Sequence, residues 1–152
     1  MTDLTFTLLD EAGLSTLRSW FSDPELKRRF EYPTHIWFDY VSDSPNVYAW
    51  MIQEDDLPVG QLQLDINTDQ TGYIGFCVKP ELRNQGFGKR ILRAFLARPE
   101  VSTLKRVVAT AEVDNLASHR CVKAVGFVQE GSEPDEQGFL SFVYTTTKTA
   151  GL

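Results

Sequence analysis

Polar and apolar residues alternate strictly between Gln61 and Ile66, with Leu62, Leu64 and Ile66 on one register and Gln61, Gln63 and Asp65 on the other. Successive side chains of a strand point to opposite faces, so the spacing predicts a strand over 59–66 with one buried face. Residues 72–78 are rich in aromatic and β-branched side chains and stop at Lys79-Pro80, which predicts a second strand ended by proline's missing N–H. From Gly88 the period lengthens. Ile91, Leu92 and Phe95 follow at +3, +4 and +7, while Lys89, Arg90 and Arg93 fall mostly on another face, the pattern of an amphipathic helix that runs to Pro99.

The same rules order the rest of the chain. Thr5 to Leu9 reads as a first strand, and Asp10-Glu11 opens a helical pattern through Leu14, Leu17, Arg18 and Phe21. Ser22-Asp23-Pro24-Glu25 carries a capping side chain, an early proline and a Glu three after Ser, so a second helix is expected with Leu26 and Phe30 as its buried face and Pro33 as its stop. Residues 31–45 show no clear period. Val47 to Gln53 reads as a strand, Glu54 to Pro58 as a turn, and Asn67 to Gly72 as a second turn, which makes a three-stranded antiparallel meander ending in the 72–78 strand. Arg106 to Val113 alternates again and is reached through a helix, as a parallel crossover requires. Asp114-Asn115 caps a short helix with Ala117, Cys121, Ala124 and Val125 as its apolar stripe and Gly126 as its stop; Phe127 to Gln129 and Phe139 to Thr146 close the chain as strands. Strands and helices in this order predict a mixed α+β sheet.

Composition narrows the class. The 152 residues suit one domain over 1–152, and 42% hydrophobic with 24% charged residues is ordinary for a soluble globular protein. No apolar run approaches the roughly 20 residues of a membrane span. The start Met1-Thr2-Asp3-Leu4 has no basic segment of a secretory signal, so a cytoplasmic location is expected. A net charge of −6 argues against nucleic acid and fits a cationic partner better. Cys77 and Cys121 lie in apolar surroundings without neighbouring ligands, and His35 and His119 stand apart, so free thiols and no metal site are expected.

Candidate chemistry concentrates between the 72–78 strand and the helix after it. In Arg83-Asn84-Gln85-Gly86-Phe87-Gly88 the glycines let a backbone approach a ligand, and the first helical turn offers unpaired N–H groups at the positive end of the helix dipole, a site for phosphate. Arg83, Lys89 and Arg90 add positive charge. The spacing alone arises by chance in roughly one chain of this size in ten, and it reads as well as an ordinary strand-to-helix turn. A second cluster, Glu31, Tyr32, His35, Trp37, Phe38, Asp39 and Tyr40, reads either as core aromatics with solvated acids or as a wall for a cation.

Two blocks together resemble the GNAT superfamily of acetyl-CoA-dependent N-acetyltransferases: Val78 to Lys89, similar to its strand-loop-helix signature, and Asn115 to Phe127, similar to its Asn-x-x-Ser/Ala helix ending in Gly-Phe. Pro58-Val59-Gly60 also looks like the family's meander turn. The chain looks nearest to the aminoglycoside and ribosomal-protein N-terminal acetyltransferases. The resemblance implies a mixed central sheet with an N-terminal antiparallel meander, a splayed parallel strand pair at the acetyl-CoA cleft, and flanking helices. It implies that Phe76, Cys77 and Val78 line acetyl-CoA, that Arg83, Asn84, Gln85, Gly86, Phe87, Gly88 and Lys89 bind its diphosphate, and that Asn115 and Ser118 lie near the pantetheine and thiol. The Val78 N–H would hold the thioester carbonyl, a donor worth on the order of 3 kcal/mol as the oxyanion develops.

The implied reaction is direct attack of a primary amine, on a small polyamine-like molecule or a protein N-terminus, on the thioester. Relatives place a tyrosine acid seven residues after the helix-opening asparagine, where this chain has Val122. Ser118 is then the candidate for the leaving sulfur, and Glu112, with Asp65 as runner-up, for the ammonium proton. Cys77, with no partner histidine, reads as packing rather than a nucleophile. The expected partners are acetyl-CoA and a cationic amine, with neither nucleic acid nor membrane, and a homodimer is compatible with the pattern. The competing function is a CoA-binding module without turnover.

Overall fold

The computed structural model describes residues 3–146. Its strands are β1 (Leu4–Leu8), β2 (Val47–Glu54), β3 (Leu57–Ile66), β4 (Thr71–Val78), β5 (Arg106–Glu112), β6 (Val128–Glu130) and β7 (Phe139–Thr145). Its helices are α1 (Glu11–Ser19), α2 (Pro24–Arg29), α3 (His35–Asp43), α4 (Phe87–Leu96), α5 (Pro99–Ser102) and α6 (Leu116–Ala124), with single 3-10 turns at Trp20–Ser22 and Pro80–Leu82. The strands follow the order β1-β2-β3-β4-β5-β7-β6. β1 pairs β2 antiparallel, β7 pairs both β5 and β6 antiparallel, and β4 and β5 run parallel, from Thr71 opposite Arg106 to Ile74 opposite Ala109. The mixed α+β sheet expected from the pattern is therefore present, with its parallel pair joined through α4.

The chain packs as two compact units, 3–63 with 76–87 and 64–75 with 88–146. In the first, Leu9, Leu17, Trp20, Phe21, Leu26, Val41, Ala49 and Met51 form one buried cluster, with Trp37, Phe38, Val47 and Cys77 packed on it. In the second, Ile91, Leu92 and Phe95 of α4 are fully buried, as the helical spacing requires, together with Leu64, Val107 and Phe142. A side chain at Gly72 would displace its neighbours there, since a Cβ would stand 2.7 Å from Leu104 Cδ1 and 2.8 Å from Leu64 Cδ1.

Several local expectations are corrected. Asp23, not Ser22, caps α2, its carboxylate accepting from Leu26 N at 2.9 Å, so Pro24 is the first helical residue. Phe30 leaves the helix in an extended conformation and is 40% exposed, leaving Leu26 as the buried residue. The unassigned 31–45 segment contains α3. Thr34 caps it, and the Trp37 indole N–H donates to Gln63 Oε1 at 2.9 Å, a tertiary anchor that no local period announces. α4 stops at Leu96, before Pro99, which instead opens α5, because proline is tolerated in a first turn.

α6 buries a different stripe. Ala117 and Ala124 are exposed, and the covered residues are His119 and Val122. A histidine takes a core position there because its Nε2 lies 2.9 Å from the Glu112 carbonyl and its ring packs 5.1 Å from that of Phe142. The predicted stop at Gly126 is present. Phe127 N donates to Val122 O and Gly126 N to Lys123 O, the paired bonds of a Schellman motif, with Gly126 at φ 110°.

Candidate active site

In the first unit β4 ends in Phe76, Cys77 and Val78, all half-buried. Lys79 N donates to Val59 O of β3 at 2.8 Å. Successive N–H groups of extended chain point to opposite edges, so the Val78 N–H points away from β3. The described β4–β5 ladder ends four residues earlier, at Ile74. Cys77 is packed against the cluster under α3; burial pushes its thiol up to about 12, against the smaller opposing pull of a hydrogen bond from the Gln61 main chain and the charge of Arg83. A thiol held protonated is no nucleophile.

After the 3-10 turn the chain bends at Asn84, φ 63°, and Gly86, φ 84°. A Cβ on Gly86 would meet nothing within 4 Å, so the turn is bare on that side. The Gln85 side-chain N–H donates to Glu81 O at 3.2 Å and braces the turn. Asn84, Gln85 and Gly86 are exposed and Phe87, half-buried, opens α4. Arg83 is placed differently from a free phosphate ligand. Its Nη2 donates to Asp23 Oδ2 at 2.7 Å, between side chains 34% and 22% exposed. That bond from Arg83, ahead of the opposing effect of burial, holds the Asp23 carboxyl below the usual carboxylate range.

Beside this ion pair lies a cavity of about 810 Å³. It is lined by Trp20, Ser22, Asp23 and Pro24 on one side and by Lys79 and Glu81 on another. Sequence reading missed both the cavity and Asp23, whose visible signal was only that of a helix cap. The aromatic and acidic cluster is also partly self-satisfied: the Arg18 guanidinium stands 5.6 Å over the Tyr32 ring, and its Nη2 is 3.1 Å from His35 Nδ1.

In the second unit Gly88 is buried and Lys89 exposed at the start of α4. Glu112, Asn115, Ser118 and His119 come together where β5 passes into α6. Asn115 Oδ1 accepts from Ser118 N at 3.3 Å as the N-cap, and Asn115 N donates to Glu112 O at 2.9 Å. Ser118 and Glu112 are half-buried, so each keeps some access to solvent. Val122 is 1% exposed, a core residue. Asp65 lies half-buried in β3, and Cys121, half-buried in α6, has its thiol pushed up by burial. Among the described residues no group of three or more His, Cys, Asp or Glu is arranged to hold a metal ion, and no helix is long and apolar enough to cross a membrane.

The geometry of a bare left-handed turn opening a helix, with donors directed off a strand end, suits a bound diphosphate and thioester. A family model described as acetyltransferase (GNAT) family matches residues 14–127. The chain is 32% identical over 140 residues to the uncharacterized N-acetyltransferase YfmK of Bacillus subtilis (strain 168), covering 91% of this chain and 94% of that protein. Its fold is similar to that of the aminoglycoside acetyltransferase AAC(6')-Ib in complex with coenzyme A, with TM-score 0.80, 19% identity and 98% of each chain covered. It is also similar to RimL, a ribosomal L7/L12 alpha-N-protein acetyltransferase in complex with coenzyme A, with TM-score 0.79, 16% identity and 97% of each chain covered.

Proposed function

The chain belongs to the acetyltransferase (GNAT) family, and from that premise we propose that it transfers the acetyl group of acetyl-CoA to a primary amine of a small polyamine-like molecule or a protein N-terminus. The observation that carries this reading is the left-handed turn at Asn84 and Gly86 opening α4, where a Cβ on Gly86 would meet nothing within 4 Å and a phosphate has room to approach the main chain. Asn84, Gln85, Gly86, Phe87, Gly88 and Lys89 hold the diphosphate, chiefly through main-chain amides, with Arg83 at the root of the turn, paired to Asp23. Phe76, Cys77 and Val78 line the pantetheine arm, with Asn115 and Ser118 assigned to it by family resemblance.

The amine lone pair attacks the thioester carbonyl carbon to form a carbon–nitrogen bond, the carbon–sulfur bond breaks so that CoA leaves as a thiolate, and the nitrogen made positive by the attack gives up a proton to leave a neutral amide. The Val78 N–H stabilises the oxyanion, a reading supported by its direction away from β3. Glu112 takes the proton, with Asp65 as the other carboxylate, and Ser118 orients the sulfur. A thiolate leaving group needs little protonation, which suits a chain with buried Val122 at the relatives' tyrosine position.

That same valine favours a second reading, a CoA-binding module without turnover. Thiol release from acetyl-CoA across a panel of polyamines and peptide N-termini separates the two: turnover with any member supports the enzyme, and silence across the panel with intact CoA binding supports the module. CoA at about 100 times its dissociation constant stabilises the fold by roughly 2.7 kcal/mol; no thermal shift at millimolar CoA overturns both readings.

A further inference from the structure

Arg83 stands immediately before the turn assigned to the diphosphate, yet its guanidinium is directed sixty residues back along the chain, to Asp23. The same Asp23 oxygen that receives Arg83 at 2.7 Å also receives Leu26 N at 2.9 Å, so one carboxylate both caps α2 and grips the root of the loop. The space beside the pair is a cavity bounded by Ser22 and Pro24 of the α2 approach and by Lys79 and Glu81 of the loop approach, so the ion pair bridges the two approaches along its edge. Lys79 N on Val59 O ties the start of the loop to β3, whereas the Gln85 brace to the Glu81 carbonyl is internal to the loop and fixes its shape but not its place.

We propose that Asp23 is a positioning residue for the acetyl-CoA loop, acting through Arg83, which anchors the turn and does not itself contact phosphate; this rests on the function proposed above. An arginine beside a phosphate site would ordinarily be read as a ligand. Here its charge is already matched by Asp23, and drawing it to the diphosphate would leave a half-buried carboxylate without its cation. The diphosphate is left to the amides of the turn and to the exposed Lys89.

The two roles predict opposite signs for one substitution. Asp23→Asn keeps a capping side chain but removes the charge. If Arg83 is an anchor, Asp23→Asn and Arg83→Gln each raise the Kd and KM of acetyl-CoA about fivefold, the size expected of a partly exposed pair, with kcat held at saturation. The double variant is then no worse than either single, because both remove one interaction. S-acetylpantetheine, which lacks the diphosphate, keeps its KM in all three.

If Arg83 grips phosphate, Asp23→Asn frees it, and acetyl-CoA binds unchanged or tighter while Arg83→Gln weakens it; that result overturns the inference. An equal loss for S-acetylpantetheine also overturns it, since the damage is then general. Gly86→Asp places a carboxylate and a Cβ in the bare turn and separates this inference from its premise. If Gly86→Asp still binds CoA normally, the loop assignment fails and the anchor with it. If Gly86→Asp loses CoA while Asp23→Asn binds like the parent, the anchor alone fails.

Discussion

The Cys77 thiol, desolvated against the cluster under α3, stays protonated far above the range of an exposed cysteine, so at neutral pH the side chain acts as a small apolar residue. Its effect on stability has a definite sign. The unfolded thiol loses its proton near 9 and the folded one only near 12, so between those values the unfolded chain binds fewer protons and stability falls as pH rises. Cys121, also raised by burial, adds to the same alkaline decline. Thermal unfolding between pH 8 and 10.5 should show it, and Cys77→Ala should flatten it; an unaltered slope would sink the assignment. Asp23 and Glu25 act at the other end. Arg83 lowers the first and Arg29 the second, so their contribution is present above the ordinary values of 3.8 and 4.5 and is lost as pH falls through the depressed folded values. Asp23→Asn should shrink the acid limb of the unfolding profile without touching the alkaline one.

Among the elements α6 is the one whose two ends are both written locally. Asn115 caps it and Gly126 closes it, and each role makes a measurable claim. Asn115→Ala should cost about 1 kcal/mol in urea unfolding, whereas Asn115→Asp, an equally good cap, should restore the stability. If Asn115→Asp nevertheless weakens acetyl-CoA, the side chain serves the ligand as well as the helix; unchanged affinity removes it from the binding set. Gly126→Ala should cost about 1–2 kcal/mol, because a side chain is strained at φ 110° and its Cβ would stand 3.4 Å from the Tyr144 ring. The stripe between those ends was not legible in the same way. An alanine-and-cysteine face looks apolar by composition, but the neighbouring β5 carbonyl and the Phe142 ring select His119 instead. α3 failed for a related reason, since its anchor, Trp37 on Gln63, lies 26 positions away and Ile36 stands 84% exposed.

At the scale of the whole molecule, 21 acidic against 15 basic residues set a negative field, which would steer the proposed acceptor if that acceptor is cationic. Such steering is screened by salt, with a Debye length of about 10 Å at 0.1 M and about 3 Å at 1 M. The kcat/KM for a polyamine acceptor should therefore fall as salt rises through that range, while that for an amine without further charge should hold; equal behaviour would remove the field from the account. What the sequence determined by itself was whatever depends on neighbours along the chain: the period-two strands, the α4 stripe, the Asn115 and Gly126 boundaries, and the glycine turn with its helix. Each follows from rules acting within about a helical turn, so order in the sequence is order in space. Tertiary structure alone decided the Asp23–Arg83 pair, the burial of His119, and the direction of the Val78 N–H, which follows from where Lys79 meets Val59. Those depend on partners brought close only when strands and helices pack, and no spacing along the chain encodes which distant atom a charge or an amide will face.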